Sequence, residues 1–190
     1  SARIGGGVTY IRTLVSALGA TRSDLTLKVF VSRAVASTME SLATPNVELV
    51  PVRNADRSIA HRLWFDQVEL PRLAGADRRT ALLSPANICS FRWPGPQMMV
   101  VQSIAPFLMD AQRGKGAWHK IRYPVLNTLT RLSFQTADIV VALSEASRAL
   151  LLERGCPPDK IRVIPLGRSD VFSEDPEKTP TSDQSETPFL

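Results

Sequence analysis

The stretch Ile4-Gly5-Gly6-Gly7-Val8-Thr9-Tyr10-Ile11-Arg12 constrains the fold of this chain more than any other. A glycine run feeds directly into an apolar pattern of helical period, with Val8, Ile11, Leu14, Val15 and Leu18 on one face. Glycine tolerates positive φ and has no Cβ, so backbone N–H groups there can come within hydrogen-bond range of a ligand. The helix that follows aims its positive end at the same place, which makes an anion site. In an open α/β sheet such a turn lies at the carboxyl end of a central strand. Only Ser1 to Ile4 precede it, so the expected fold is a parallel sheet with its first strand truncated.

Two other glycine motifs are excluded. A dinucleotide fingerprint needs a third glycine where Tyr10 stands and an acid closing the second strand, and Asp24 comes before that strand. This disfavours a nicotinamide-dependent oxidoreductase. A P-loop needs Gly-Lys-Ser/Thr, and no such triplet follows. A glycine turn with a purely structural use stays open beside the ligand-binding one.

Downstream, strands and helices alternate. Leu25–Val31 and Val47–Val52 read as strands, separated by a short helix from Ala34 to Ala43 that stops at Thr44-Pro45-Asn46. Ser58 caps a longer helix reaching Leu73, with Trp64 and Phe65 adding bulk. Ala81–Ser84 and Met98–Val101 are further strands around a loop from Pro85 to Gln97, and Ile104 to Gly116 is irregular. A basic helix from Trp118 to Phe134 is interrupted or kinked at Pro124. Ile139–Ala142 is wholly apolar, as a strand covered on both faces should be. Ser144 caps Glu145 to Arg154, Gly155 stops that helix, and Ile161–Ile164 is the last strand.

That alternation predicts right-handed βαβ units: an α/β, Rossmann-like parallel sheet flanked by helices. The loops after the strands, among them Gln102 to Pro106, Ser144 and Pro165 to Arg168, then line one crevice. Residues 1–172 form this domain. The tail 173–190 is polar and proline-bearing, a linker by composition, and its final Pro188-Phe189-Leu190 turns apolar as if another domain began there.

Net charge is +5; the tail holds five acids against one lysine, so residues 1–172 carry +9. A basic body favours anionic partners. Nothing resembles a recognition helix, a zinc finger or an aromatic RNA-binding strand, so phosphorylated small molecules or lipid head groups fit better than nucleic acid. Cys89 and Cys156, far apart and without a metal-ligand pattern, read as buried free thiols. His61 and His119 read as surface residues on helices, and no Asp/His cluster suggests a metal.

Several segments line up in order with one family: Gly5–Arg12, Leu83-Ser84-Pro85-Ala86-Asn87, Pro96-Gln97 through Ala105-Pro106-Phe107, Ala137–Arg148 and Pro158–Gly167. In these the sequence resembles the N-terminal half of a family 4 (group 1) glycosyltransferase of GT-B fold. The resemblance implies two Rossmann-like domains facing a cleft. The acceptor, a glycan or a lipid-linked molecule, would lie on this half, and the nucleotide-sugar donor on a C-terminal domain absent from these residues. It implies transfer of a hexose with retention, no cofactor or metal, and no turnover by residues 1–190 alone. A non-catalytic α/β domain that binds a sugar or nucleotide is the alternative.

Carried over by position, Gly5, Gly6 and Gly7 would approach the donor diphosphate or the acceptor. Many relatives have His-Asp after the fourth strand, where this chain has Gln102-Ser103. Glutamine hydrogen-bonds a sugar hydroxyl but is no general base, which favours positioning there. Ser144 and Glu145 would face the cleft, or serve only as cap and first-turn acid. Gly167 would lie at the crossing into the second domain. Transferases of this type often touch the inner membrane face, which implies a cytoplasmic enzyme of envelope polysaccharide assembly. The helix 118–134, with His119, Lys120, Arg122 and Arg131 beside Ile121, Val125, Leu126, Leu129 and Leu132, suits such contact and also suits packing on a sheet.

Overall fold

A computed structural model describes residues 6–53, 57–85, 87–103, 107 and 117–166, and of 59 and 117–123 the backbone alone. The chain opens with α1 (Gly6–Thr21), whose apolar stripe turns Val15 inward. Then come β1 (Leu27–Ser32), α2 (Arg33–Met39) and β2 (Val47–Val52). The next helical segment has three parts: α3 (Ile59–Trp64), a π-helical turn (Phe65–Glu69) and α4 (Leu70–Leu73). After β3 (Leu82–Ser84) and β4 (Gln97–Val101) come α5 (Ala117–Thr136), β5 (Ile139–Ala142), α6 (Glu145–Glu153) and β6 (Ile161–Val163).

All named strand pairs are parallel, and helices flank them, which is the expected α/β architecture. The expected single sheet is, however, divided in two. One sheet is β1-β2 and the other is β3-β4-β5-β6. Nothing among the described residues occupies the position between β1 and β3.

The larger core lies on the four-stranded sheet. Val140, Val141 and Ala142 are buried on both faces of β5, which explains the unbroken apolar run. Against one face pack Met99, Phe134, Leu151 and Phe107, the two phenylalanines stacked with ring centroids 6.2 Å apart. A second cluster (Val52, Phe65, Leu70 and Trp93) joins the two sheets, with Phe30 tilted against Phe65.

Local signals explain the helix ends. Ser58 Oγ accepts from His61 N (3.2 Å), and Gly155 ends α6 with φ +87°, a conformation that disfavours side chains. The helix predicted from Ser58 departs from regularity at Phe65. The π turn rotates Phe65 into the core and leaves Trp64 60% exposed, so Trp64 adds no core bulk. Helix α5 runs through Pro124 as one span, and no helix among the described residues is long and apolar enough to cross a membrane.

Candidate functional site

Strand register decides which loops meet. Val101 of β4 is opposite Ala142 of β5, so Gln102-Ser103 and Leu143-Ser144 leave the sheet side by side. Ser84 of β3 is opposite Met99, and the loop beyond it returns to the same edge, where Asn87 Nδ2 donates to the Ser103 carbonyl. Ala142 is opposite Val163, and Ile164 N donates to the Ala142 carbonyl at 2.9 Å, so 164–166 leave at that end too. Parallel pairing thus collects the exits of β3, β4, β5 and β6 at one rim.

The start of α1 joins them. A Cβ built on Gly7 would lie 2.9 Å from Gln102 Oε1. The two groups are in close approach, and a side chain at position 7 would displace the end of the Gln102 side chain. Positive φ does not explain the glycine, because the described glycines with positive φ are Gly75 and Gly155. Gly6 and Gly7 are therefore the first residues of the helix itself, where N–H groups have no intrahelical acceptor. Gln102 Nε2 is buried without a hydrogen-bond partner among the described residues. A buried donor left so costs about 1–3 kcal/mol, and an acceptor brought to this rim would recover it. Tyr10 sits one turn on, half-buried, and burial pushes its phenol pKa up.

The other predicted residues divide. Ser144 Oγ accepts from Ser147 N (3.1 Å) and caps α6. Its hydroxyl proton goes to Ser147 Oγ. Glu145 is exposed and stands 3.8 Å from Arg148 Nη1, an ion pair of little energetic weight. Ser103 takes part through its carbonyl, held by Asn87. Gly5 and Gly167 lie outside the described residues. Gly6, Gly7, Gln102, Ser103 and Ser144 are thus brought to one rim, and Gly7 and Gln102 touch. Among the described residues no three of His, Cys, Asp and Glu assemble as a metal site would require.

A glycosyl transferase 4-like domain model matches residues 5–167, from the glycine run to the exit beyond β6. The chain belongs to the glycosyl transferase 4-like family. The curated proteins and the solved structures yield no match. The family makes this a glycosyltransferase domain, and its parallel sheets flanked by helices are those of that architecture.

In this transferase domain the loop from Pro85 to Pro96 is fastened mainly by residues outside the segments that carry the family resemblance. Gln67, inside the π turn, donates through Nε2 to the Cys89 carbonyl (2.8 Å) and accepts from Phe91 N (2.7 Å). Ser133 Oγ on α5 accepts from Cys89 N at 2.9 Å. Trp93 Nε1 donates to the Thr80 carbonyl (2.9 Å), and Gly95 presses on the same turn. Asp138 clamps the start of β4, accepting from Gln97 N through Oδ2 while its own N–H donates to the Gln97 carbonyl. Asn87 carried a signal, because it ends the Leu83–Asn87 segment. Gln67 carried none: a glutamine in an amphipathic pattern looks like any solvated position until the π turn redirects it.

Proposed function

We propose that the protein is the acceptor-side half of a retaining transferase that moves a hexose from a nucleotide-sugar to a glycan or lipid-linked acceptor. The observation that carries this reading is the contact of Gly7 with Gln102 at the rim. It sets a helix N-terminus and an unpartnered amide donor side by side, as an anionic, hydroxyl-rich guest requires. Gln102 positions a sugar hydroxyl. The free N–H groups at Gly6 and Gly7 stabilise charge gathering on the departing phosphate, which needs neither cofactor nor metal. A C-terminal domain beyond the 173–190 linker holds most of the donor, so residues 1–190 alone do not turn over.

The acceptor side faces a membrane surface. Val125 and Leu132 are 49% and 52% exposed on α5, with Arg131 exposed beside them, an arrangement suited to an anionic lipid surface at the cytoplasmic side.

The test is nucleoside diphosphate release by the full-length protein with UDP-, GDP- and dTDP-hexoses and a lipid-linked glycan acceptor. Turnover with one donor is expected, and Gln102→Ala should lower kcat by about 10²-fold, as loss of a preorganised donor does. A full-length protein inert with every donor, or a Gln102→Ala enzyme of unchanged kcat, refutes the reading.

A further inference from the structure

Gln102 stands between two anchors. On one side Val101 is fixed by the parallel ladder, opposite Ala142. On the other side the Ser103 carbonyl accepts from Asn87 Nδ2. The backbone that aims the Gln102 side chain is therefore set partly by where Asn87 stands. Asn87 belongs to a loop, and a loop holds one shape only where something fastens it. Here the fastening comes two residues further on. The Cys89 N–H donates to Ser133 Oγ (2.9 Å), and the Cys89 carbonyl accepts from Gln67 Nε2 (2.8 Å). The Phe91 N–H donates to Gln67 Oε1 (2.7 Å), while Ser133 Oγ donates to the Leu129 carbonyl of α5 (2.8 Å). Cys89 and Ser90 are 0% and 1% exposed, so water does not replace the amide of Gln67 at the Cys89 carbonyl. Gln67 uses both ends of its amide on this one loop. It does so from the π turn, a rare distortion that recurs at functional sites.

We propose, resting on the role given to Gln102 toward a sugar hydroxyl, that Gln67 and Asn87 are positioning residues for Gln102. They form a relay from the π turn through the 87–91 loop to the rim. Neither touches the substrate. Gln67 holds the loop, the loop holds Asn87, and Asn87 holds the Ser103 carbonyl. The result is a Gln102 whose Oε1 lies beside Gly7 and whose Nε2 has no partner among the described residues, ready for an acceptor atom of the guest. A displacement of about 1 Å at a group that orients substrate costs about 10²-fold in rate, so small slack in this relay matters.

The test is a kinetic cycle in the full-length protein, with Asn87→Asp and Gln67→Met each made alone and together with Gln102→Ala. Asn87→Asp keeps the shape but sets a carboxylate oxygen against the Ser103 carbonyl, and Gln67→Met keeps the length but loses both hydrogen bonds. Each should lower kcat about tenfold or more, with KM for the donor changed by less than about twofold. In the Gln102→Ala background neither should lower kcat further, because the group they aim is gone. Equal losses in both backgrounds would mark a role in stability alone and overturn the proposal. A second readout needs no turnover. With glutamine side-chain amides labelled with nitrogen-15, the NMR signal that disappears in Gln102→Ala should shift in Asn87→Asp and in Gln67→Met. A Gln102 signal unmoved by these substitutions overturns the relay, whatever the activity. A protein inert with every donor, but with that signal moved, would refute the transferase reading and leave the relay standing. Should Gln67→Met fail to fold, Asn87→Asp at the half-buried rim decides by the same two readouts.

Discussion

Replacing Gly7 by alanine sets two calculable effects against each other. Within a helix, glycine to alanine gains up to about 1 kcal/mol, less in the first turn, where Gly7 lies. Against this, the new Cβ would stand 2.9 Å from Gln102 Oε1, so the amide must move. The clash is with the far end of a flexible side chain, and an off-rotamer shift of that kind costs about 0.5–1.5 kcal/mol. The two nearly cancel. Gly7→Ala should therefore change the stability of the chain by less than about 1 kcal/mol, a shift in Tm of no more than ~2–4 °C for a domain of this size. In a Gln102→Ala background the clash is absent, and Gly7→Ala should stabilise. The coupling between the two substitutions should be about 0.5–1.5 kcal/mol, measured by urea unfolding of the four proteins. On the proposed reading, activity of the full-length enzyme should instead fall in Gly7→Ala, because the displaced amide and the crowded helix tip are the groups assigned to the substrate. Coupling below about 0.3 kcal/mol, with activity retained, would show that Gly7 and Gln102 do not share a site.

Gly95→Ala should be far more harmful than Gly75→Ala. A Cβ at 95 would meet backbone oxygens at 2.3 Å (Thr80) and 2.7 Å (Asp77), which cannot rotate away, whereas Gly75 has φ +61° and open space around it. About 1 kcal/mol is expected at 75 and clearly more at 95, read by urea midpoints. Ser144→Ala should cost about 1 kcal/mol by removing the cap of α6, with Ser144→Asp restoring most of it. The thiols give a pH test. Burial pushes Cys89 from 9.0 up to about 12 and Cys156 up to about 11. The unfolded chain then releases these protons first, so stability falls as pH rises above 9. By linkage the loss is about 1.4 kcal/mol per thiol at pH 10, and Cys89→Ala should flatten the profile between pH 9 and 11. Native protein at pH 8 should show no thiol reactive to a disulfide reagent, and two after unfolding.

Periodicity made most of the fold legible. The β5 run, the Ser58 and Ser144 caps and the Gly155 stop are each set by neighbours in sequence, and each lies where the pattern puts it. The division of the sheet is a different kind of fact. It depends on which strand edges find partners, and no local window of β1 or β3 records that. The π turn at Phe65–Glu69 was equally hidden. The pattern from Ser58 to Leu73 is helical on either side, and only the demand that Phe65 reach the core while Gln67 reaches Cys89 and Phe91 inserts the wider turn. Ser144 shows the converse limit. A serine before a first-turn acid fits a ligand contact and a cap equally well as text. The hydrogen bonds to Ser147 establish the cap, using the proton and one of the hydroxyl's two lone pairs.

The glycine run shows what sequence can and cannot decide about a site. Three consecutive glycines announce that something comes close, but conformational freedom and close approach are alternative reasons for them, and the letters do not separate the two. At Gly7 the backbone is helical, a conformation any residue adopts, so freedom is not the reason. What remains is proximity, and the neighbour is Gln102, ninety-five positions away and chemically suited to a hydroxyl. A glycine kept for freedom would tolerate a bulkier partner at 102. A glycine kept for proximity would not, and Gln102→Glu, which leaves the bulk unchanged, probes instead the charge that this contact accepts. A carboxylate has the same shape and keeps the contact, and it gains from the helix N-terminus by about 0.3–1 kcal/mol. It also places a negative charge where a phosphate would come, so the enzyme should be as stable as before or more so, with KM for the donor raised severalfold. If Gln102→Glu instead left donor binding unchanged, the rim would not be where the phosphate goes.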